Sequence, residues 1–154
     1  MSNLDQIDRR LLAELQAEGR ITNVELAQRV GLTAPPCLRR VRSLEEDGVI
    51  RGYHAELDAA KLGFAITVFA MVSLKSQAED SLREFEHAMH DLAEVREVHM
   101  LNGEIDFILK VVSRDLQSFQ EFLTSKLTPA PNVASVKTSL TIRTSKHEPG
   151  VPLE

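Results

Sequence analysis

Hydrophobic periodicity changes character once along this chain, and that change limits the folds open to it. Through Gly48 the apolar residues fall in three short runs at helical spacing; from Phe64 onward they read strand, helix, strand, strand, helix, strand. The second order, βαββαβ, closes most simply into a four-stranded antiparallel sheet with both helices on one face, the ferredoxin-like arrangement. The expected class is therefore α+β. It comprises a three-helix helix-turn-helix domain over residues 1–50, a linking strand and hinge over 51–63, and a βαββαβ domain with a C-terminal tail over 64–154.

Cap chemistry places the helices. Ile7, Leu11, Leu12 and Leu15 share one face of a helix that starts at Asp5 and is stopped by Gly19. Thr22-Asn23-Val24-Glu25 reads as a capping box, in which the threonine oxygen accepts a backbone N–H and the glutamate reaches back to the cap. The short helix that follows has Val24, Ala27 and Val30 on its apolar face, and Gly31 ends it where a left-handed residue is needed. Thr33 then begins a third helix whose first turn tolerates Pro35 and Pro36, since N–H groups there have no intrahelical acceptor. Leu38, Val41 and Leu44 are expected on its packed side. Residues 49–57, β-prone at Ile50 and Tyr53, are expected to form the linking strand.

In the second half, strands are expected over 64–75, 95–101, 105–112 and 133–143, with helices over 78–91 and 116–127. Asn102-Gly103 is the strongest short hairpin signal in the chain. With both helices on one side of the sheet, the other side would expose an apolar patch, so it is expected to pack on a second subunit.

A net charge of −5 argues at first against a nucleic-acid partner, because lysine and arginine neutralising phosphates supply much of that affinity. The distribution reverses the argument. Residues 1–53 hold eight Lys/Arg and eight Asp/Glu, residues 54–154 hold ten against fifteen, and residues 33–44 carry Arg39, Arg40 and Arg42 with no acid. Local charge is what a phosphate meets. The longest apolar run, residues 64–74, is about half of what a bilayer crossing needs, and the N-terminus lacks the pattern of a signal peptide. The single cysteine, Cys37, excludes an intrachain disulfide. A cytoplasmic protein with no membrane partner is expected.

Three short helices with a glycine turn between the second and third match a helix-turn-helix, whose last helix enters the major groove of double-stranded DNA. Arg39, Arg40 and Arg42 can reach guanine edges or phosphates, and Thr33 and Ser43 can donate to phosphate. Pro36 shares that first turn. On spacing alone, a merely solvated basic face or a protein-docking module remains open.

Longer motifs narrow the choice. Asn23-Val24-Glu25-Leu26-Ala27-Gln28-Arg29-Val30-Gly31-Leu32, then Pro36-Cys37-Leu38-Arg39-Arg40-Val41-Arg42-Ser43-Leu44-Glu45 and Gly48-Val49-Ile50, resemble the leucine-responsive/asparagine regulator (Lrp/AsnC) family. In the second half, His99-Met100-Leu101-Asn102-Gly103-Glu104-Ile105-Asp106-Phe107-Ile108-Leu109-Lys110 resembles that family's Gly-x-x-Asp-aromatic segment, and residues 133–142 its final strand. The resemblance covers nearly the whole chain. It implies a transcription regulator that is a homodimer through its C-terminal domains, commonly closed into an octamer as a tetramer of dimers, with an amino-acid effector bound where dimers meet. Two stretches depart from the family pattern: the prolines of Thr33-Ala34-Pro35-Pro36, and Thr128-Pro129-Ala130-Pro131-Asn132, which replaces a more usual Leu-Pro-Gly turn.

An amino acid presents a cation, an anion and a side chain, so its site needs an acceptor, donors and apolar walls. Asp106, matching the motif aspartate, is expected to take the ammonium group. Leu101, Asn102, Gly103 and Glu104 would supply a wall and backbone N–H groups, with Gly103 permitting close approach. Thr138, Ser139 and Thr141 fall where the resemblance places ligand-responsive residues on the last strand. Without the resemblance, a structural carboxylate at Asp106 and a plain hairpin residue at Gly103 stay open as alternatives.

Other chemistry finds little support. His87 and His90 lie three apart on a helix with Glu84 and Glu86 nearby, yet no further cysteine or histidine cluster joins them, and a surface face is expected rather than a metal site. Glu104 and Asp106 lack a nucleophile or metal set, so an enzyme is not expected, nor is a cofactor. Cys37 reads as a small packing residue before a redox sensor. The rivals to an effector-modulated DNA reader are a ligand-sensing module that docks a protein partner and a DNA-organising protein without an effector.

Overall fold

The computed structural model describes residues 4–153. Up to Glu56 the described chain forms one unit, joined by the chain from Lys146 on, and Leu57–Ser145 form a second. The tail that sequence grouped with the second domain thus packs in the first unit.

Three helices build the first unit. α1 (Gln6–Ala17) opens with a reciprocal cap: the Asp8 backbone N–H donates to Asp5 Oδ1 at 2.8 Å, and the Asp5 N–H donates to Asp8 Oδ2 at 3.2 Å. α2 (Asn23–Val30) has the expected Thr22/Glu25 box and ends at Gly31 with φ of 76°, a backbone state that costs a side-chain-bearing residue roughly 1–2 kcal/mol. α3 (Ala34–Glu46) follows. Leu11, Leu26, Ala27, Val30, Cys37 and Val41 form the core, with Ile7, Leu15, Ile21, Leu32 and Ile50 around it. Two apolar faces differ from the sequence expectation. Leu26 replaces Val24, which stands exposed on α2, and Cys37 replaces Leu38 on α3. Periodicity permits either rotation of so short a helix. On α3 the small thiol joins the core shared by the three helices, and burial pushes its pKa up.

The second unit has the expected order β1 (Ile66–Leu74), α4 (Glu79–His90), β2 (Val95–Met100), β3 (Phe107–Ser113), α5 (Leu116–Phe122) and β4 (Val133–Leu140). The strands lie in the order β2-β3-β1-β4, all antiparallel. β3 alternates strictly, burying Phe107, Leu109, Val111 and Ser113, and β1 buries Val68, Ala70, Val72 and Leu74, of which Val68, Ala70 and Val72 lie opposite Val111, Leu109 and Phe107. Phe85 of α4 meets Phe107 at 4.9 Å between ring centroids, in the middle of this core. α5 widens into a π-helical turn, Leu123–Leu127, where Thr124 and Ser125 hydroxyls donate to Gln120 and Glu121 carbonyls and compete with the regular ladder.

Two local expectations are corrected. Among the described residues 51–63 form no strand: residues 51–58 have no ladder partner, and Asp58 starts a closed turn in which Phe64 N–H donates to Ala59 O and Gly63 N–H to Ala60 O. β-propensity without a neighbour to pair with does not make a strand. Asn102-Gly103 makes no two-residue hairpin either. β2 and β3 are joined by residues 101–106, neither Asn102 nor Gly103 has positive φ, and the pairing closes at Met100 opposite Phe107. Asp106 explains the wider loop. Its N–H donates to Val72 O and its Oδ2 accepts from Leu74 N–H at 2.6 Å, so the start of β3 is fastened to β1 before the turn can tighten.

Candidate functional site

α3 presents its outward side through the packing of the other. With Cys37, Val41 and Leu44 buried, Arg39, Arg42 and Ser43 are exposed, as is Thr33 at the helix start; Pro36 is half-buried. No side-chain bond from Thr33 caps the helix, so its hydroxyl is not used as a cap acceptor. Among the described residues no ion pair engages Arg39 or Arg42.

Arg40 is different. Its Nη1 donates to Asp5 Oδ2 at 2.8 Å and to Asp8 Oδ1 at 2.7 Å, tying α3 to the cap of α1. Side-chain hydrogen bonds to the Asp8 and Asp5 carboxylates raise the guanidinium pKa further. For Asp5 the backbone N–H of Asp8 is the main cause of a lowered pKa, with Arg40 adding to it. Arg40, expected among the DNA contacts, is thus engaged as a brace. Arg29 has a similar role between Glu14 and Glu18 at 3.0 and 2.8 Å, and Arg10 donates to the Arg29 carbonyl in the last turn of α2. None of these long-range pairs is visible in local spacing.

The residues expected to hold an effector fall in two places. The loop carrying Leu101, Asn102, Gly103 and Glu104 is exposed, with Met100 and Leu101 showing 61% and 40% of their surface. Asp106, half-buried at its end, has one carboxylate oxygen committed to the Leu74 N–H. Thr138, Ser139 and Thr141 lie elsewhere, level with Ala70, Phe69 and Thr67 of β1. Since Asp106 bonds Val72 and Thr141 bonds Thr67, these two are five residues apart along one strand, about 16 Å, whereas Thr138, level with Ala70, is two residues from Val72 along it. One chain does not bring Asp106 and Thr141 around one small molecule. Thr141 Oγ1 is buried without a hydrogen-bond partner.

The sheet face away from the helices carries Phe69, Met71, Ile108 and Val112 at its centre. Lys110 pairs with Glu97 at 2.8 Å beside them, and His99 lies 3.1 Å from the same carboxylate. The Lys110 ammonium, then His99, hold the Glu97 pKa below its ordinary value.

Comparison with known proteins matches residues 67–151 to the Lrp/AsnC ligand binding domain and residues 4–51 to a winged helix-turn-helix DNA-binding domain. The chain belongs to the Lrp/AsnC family. Among its relatives, this Lrp/AsnC regulator is 54% identical over 143 residues to the leucine-responsive regulatory protein of Rhizobium meliloti, covering 93% of this chain and 92% of that one. It is 41% identical over 153 residues to the Bkd operon transcriptional regulator of Pseudomonas aeruginosa, covering 99% and 100%. A Neisseria meningitidis transcriptional regulator crystallised with L-Met superposes with a TM-score of 0.93 at 34% identity, covering 98% of this chain and 97% of that one. The protein is a DNA-binding transcription regulator with a winged helix-turn-helix and a ligand-binding domain. Its family is one of transcription regulators. Among the described residues no helix is long and apolar enough to cross a membrane, and no three potential metal ligands cluster.

Proposed function

We propose that this regulator reads double-stranded operator DNA through the exposed side of α3 and that an amino acid modulates its assembly or its DNA binding. Arg39 and Arg42 are the principal guanine or phosphate contacts, Thr33 and Ser43 donate to phosphate, and Pro36 shapes the first turn, while Arg40 holds α3 against α1. The observation that carries this reading is the split among the arginines: two exposed without an ion-pair partner among the described residues, one bound by two carboxylates.

The working assembly is a homodimer in which the sheet faces bearing Phe69, Met71, Ile108 and Val112 cover one another, further closed into an octamer of four dimers. The effector lies where dimers meet. This is supported by the separation of Asp106 from Thr141, since a site using both requires a second copy. Leu101, Asn102, Gly103, Glu104 and Asp106 from one place, and Thr138, Ser139 and Thr141 from the other, then face the ligand. The relatives called leucine-responsive and the neighbour crystallised with L-Met favour an aliphatic or thioether amino acid, and exposed Met100 and Leu101 offer it an apolar wall. The protein is expected to act in the cytoplasm, without enzymatic activity or a cofactor.

Binding of the full chain to its own upstream DNA, at two salt concentrations, with and without L-leucine or L-methionine, tests both parts. Salt-sensitive binding lost in Arg39→Ala/Arg42→Ala and shifted by one of the amino acids is the expected result. Equal, weak binding of wild type and variant to specific and random DNA would overturn the DNA-reading part; indifference to both ligands would overturn the effector part.

A further inference from the structure

The segment from Lys146 on folds with the helix-turn-helix unit although 89 residues of the other unit, Leu57–Ser145, precede it. Its contacts there are specific. Gln16, on α1, holds Val151 by both backbone groups: Gln16 Nε2 donates to Val151 O at 2.8 Å, and Val151 N–H donates to Gln16 Oε1 at 3.0 Å. Val151 and Leu153 line a groove with Leu4, Leu12, Val49 and Tyr53. Gly150 suits this clamp alone, for its φ is +85° and a Cβ built there would collide with the Gln16 amide oxygen. Pro149 and Pro152 flank the clamped pair. They carry no N–H to leave unsatisfied, and their fixed φ reduces the freedom lost on docking.

The same contacts are slight. Val151 keeps 61% of its surface exposed, Gln16 is exposed, and the nearby ion pair of His147 with Glu56, 3.3 Å apart, lies in solvent. A segment held by one side chain and a shallow apolar groove opens more readily than the core beneath it. Its release has a topological effect. While it is docked, the second unit is tied to the DNA-reading unit at both of its ends, through residues 56–57 and 145–146. Undocked, only the first connection remains.

We propose that residues 150–153 and the groove on α1 form a releasable latch, which restricts the positions the DNA-reading unit can take and so sets how strictly the regulator measures the spacing between operator half-sites. The proposal rests on the DNA-reading function above. Its test uses the full chain and two single variants that strike the clamp from opposite sides, Gly150→Ala and Gln16→Ala.

Hydrogen exchange over residues 146–153 and 49–53 reports docking. Both variants are expected to exchange on the order of tenfold faster there, with β1 and β3 unchanged. Binding to operators of native spacing and of spacing altered by half a helical turn reports function: wild type should discriminate between them and the variants should lose most of that preference, while affinity for the native spacing falls less than threefold. Unchanged exchange in both variants would overturn the docking claim, and faster exchange with undiminished discrimination would overturn the restraint. If wild type fails to bind DNA, the DNA-reading function fails instead, and exchange alone still decides whether the segment is latched.

Discussion

Replacing Arg40 and replacing its neighbours should have opposite signatures. In a dimer with two α3 helices on DNA, Arg39→Ala/Arg42→Ala removes four guanidinium groups. If each neutralises a phosphate, the slope of log affinity against log salt becomes shallower by about 3.6, at roughly 0.9 per contact. Between about 50 and 200 mM salt the wild type would then lose ~100-fold more affinity than the double variant. Arg40→Ala should change the slope by less than about one, because its guanidinium already lies 2.7–2.8 Å from Asp8 and Asp5. That variant should instead lower the denaturant midpoint, since it frees two carboxylates near the start of α1. Fluorescence anisotropy of a labelled operator over a salt series gives the slopes, and circular dichroism in urea gives the midpoints. An Arg40→Ala slope as shallow as that of the double variant, with an unchanged midpoint, would refute the assignment of Arg40 as a brace.

The remaining predictions use simpler readouts. Tyr53 is the only tyrosine, and burial, then its bond to Glu45 at 3.0 Å, pushes its pKa up to about 12 from 10; phenolate absorbance should rise near pH 12 in the folded protein and lower in Glu45→Gln. Because the neutral phenol is favoured by folding, its contribution to stability is complete below pH 10 and lost as pH rises through about 12. Asp106→Ala removes the acceptor of the Leu74 N–H and should cost about 1–3 kcal/mol in urea denaturation, whereas Asp106→Asn, which keeps an acceptor oxygen, should cost less; equal losses would show that this bond contributes little. Cys37, the single thiol and fully buried, should react with a thiol reagent only as fast as its unit opens, so a rate equal to that of free cysteine would contradict its place in the core.

Patterns of short range were legible in the chain. The capping box at Thr22 and Glu25 and the left-handed stop at Gly31 each express a preference of a few adjacent residues, and the apolar spacing from Phe64 onward carried the βαββαβ order. What escaped depends on partners distant in sequence. Arg40 finds Asp5 and Asp8 across 35 and 32 residues, and Gln16 finds Val151 across 135. A lone arginine on a helix face reads the same whether it points to solvent or to another helix. Asn102-Gly103 misled for a related reason: the local turn preference is real, but Asp106 binds the neighbouring strand β1 and holds the loop open. Local sequence therefore placed Arg39, Arg42 and Ser43 on the exposed side of α3, but set Leu38 on the packed side and could not divide the arginines.

The return of the chain to its first unit also orders events during synthesis. α1, α2 and α3 and the whole of their shared core are complete by Ile50, so they can pack as soon as that length clears the ribosome, N-terminal elements first. Gln16 must then wait for Val151 until translation has almost reached the end of the described chain. Once the three helices have packed, the groove on α1 stays open until backbone made 135 residues after Gln16 closes onto it.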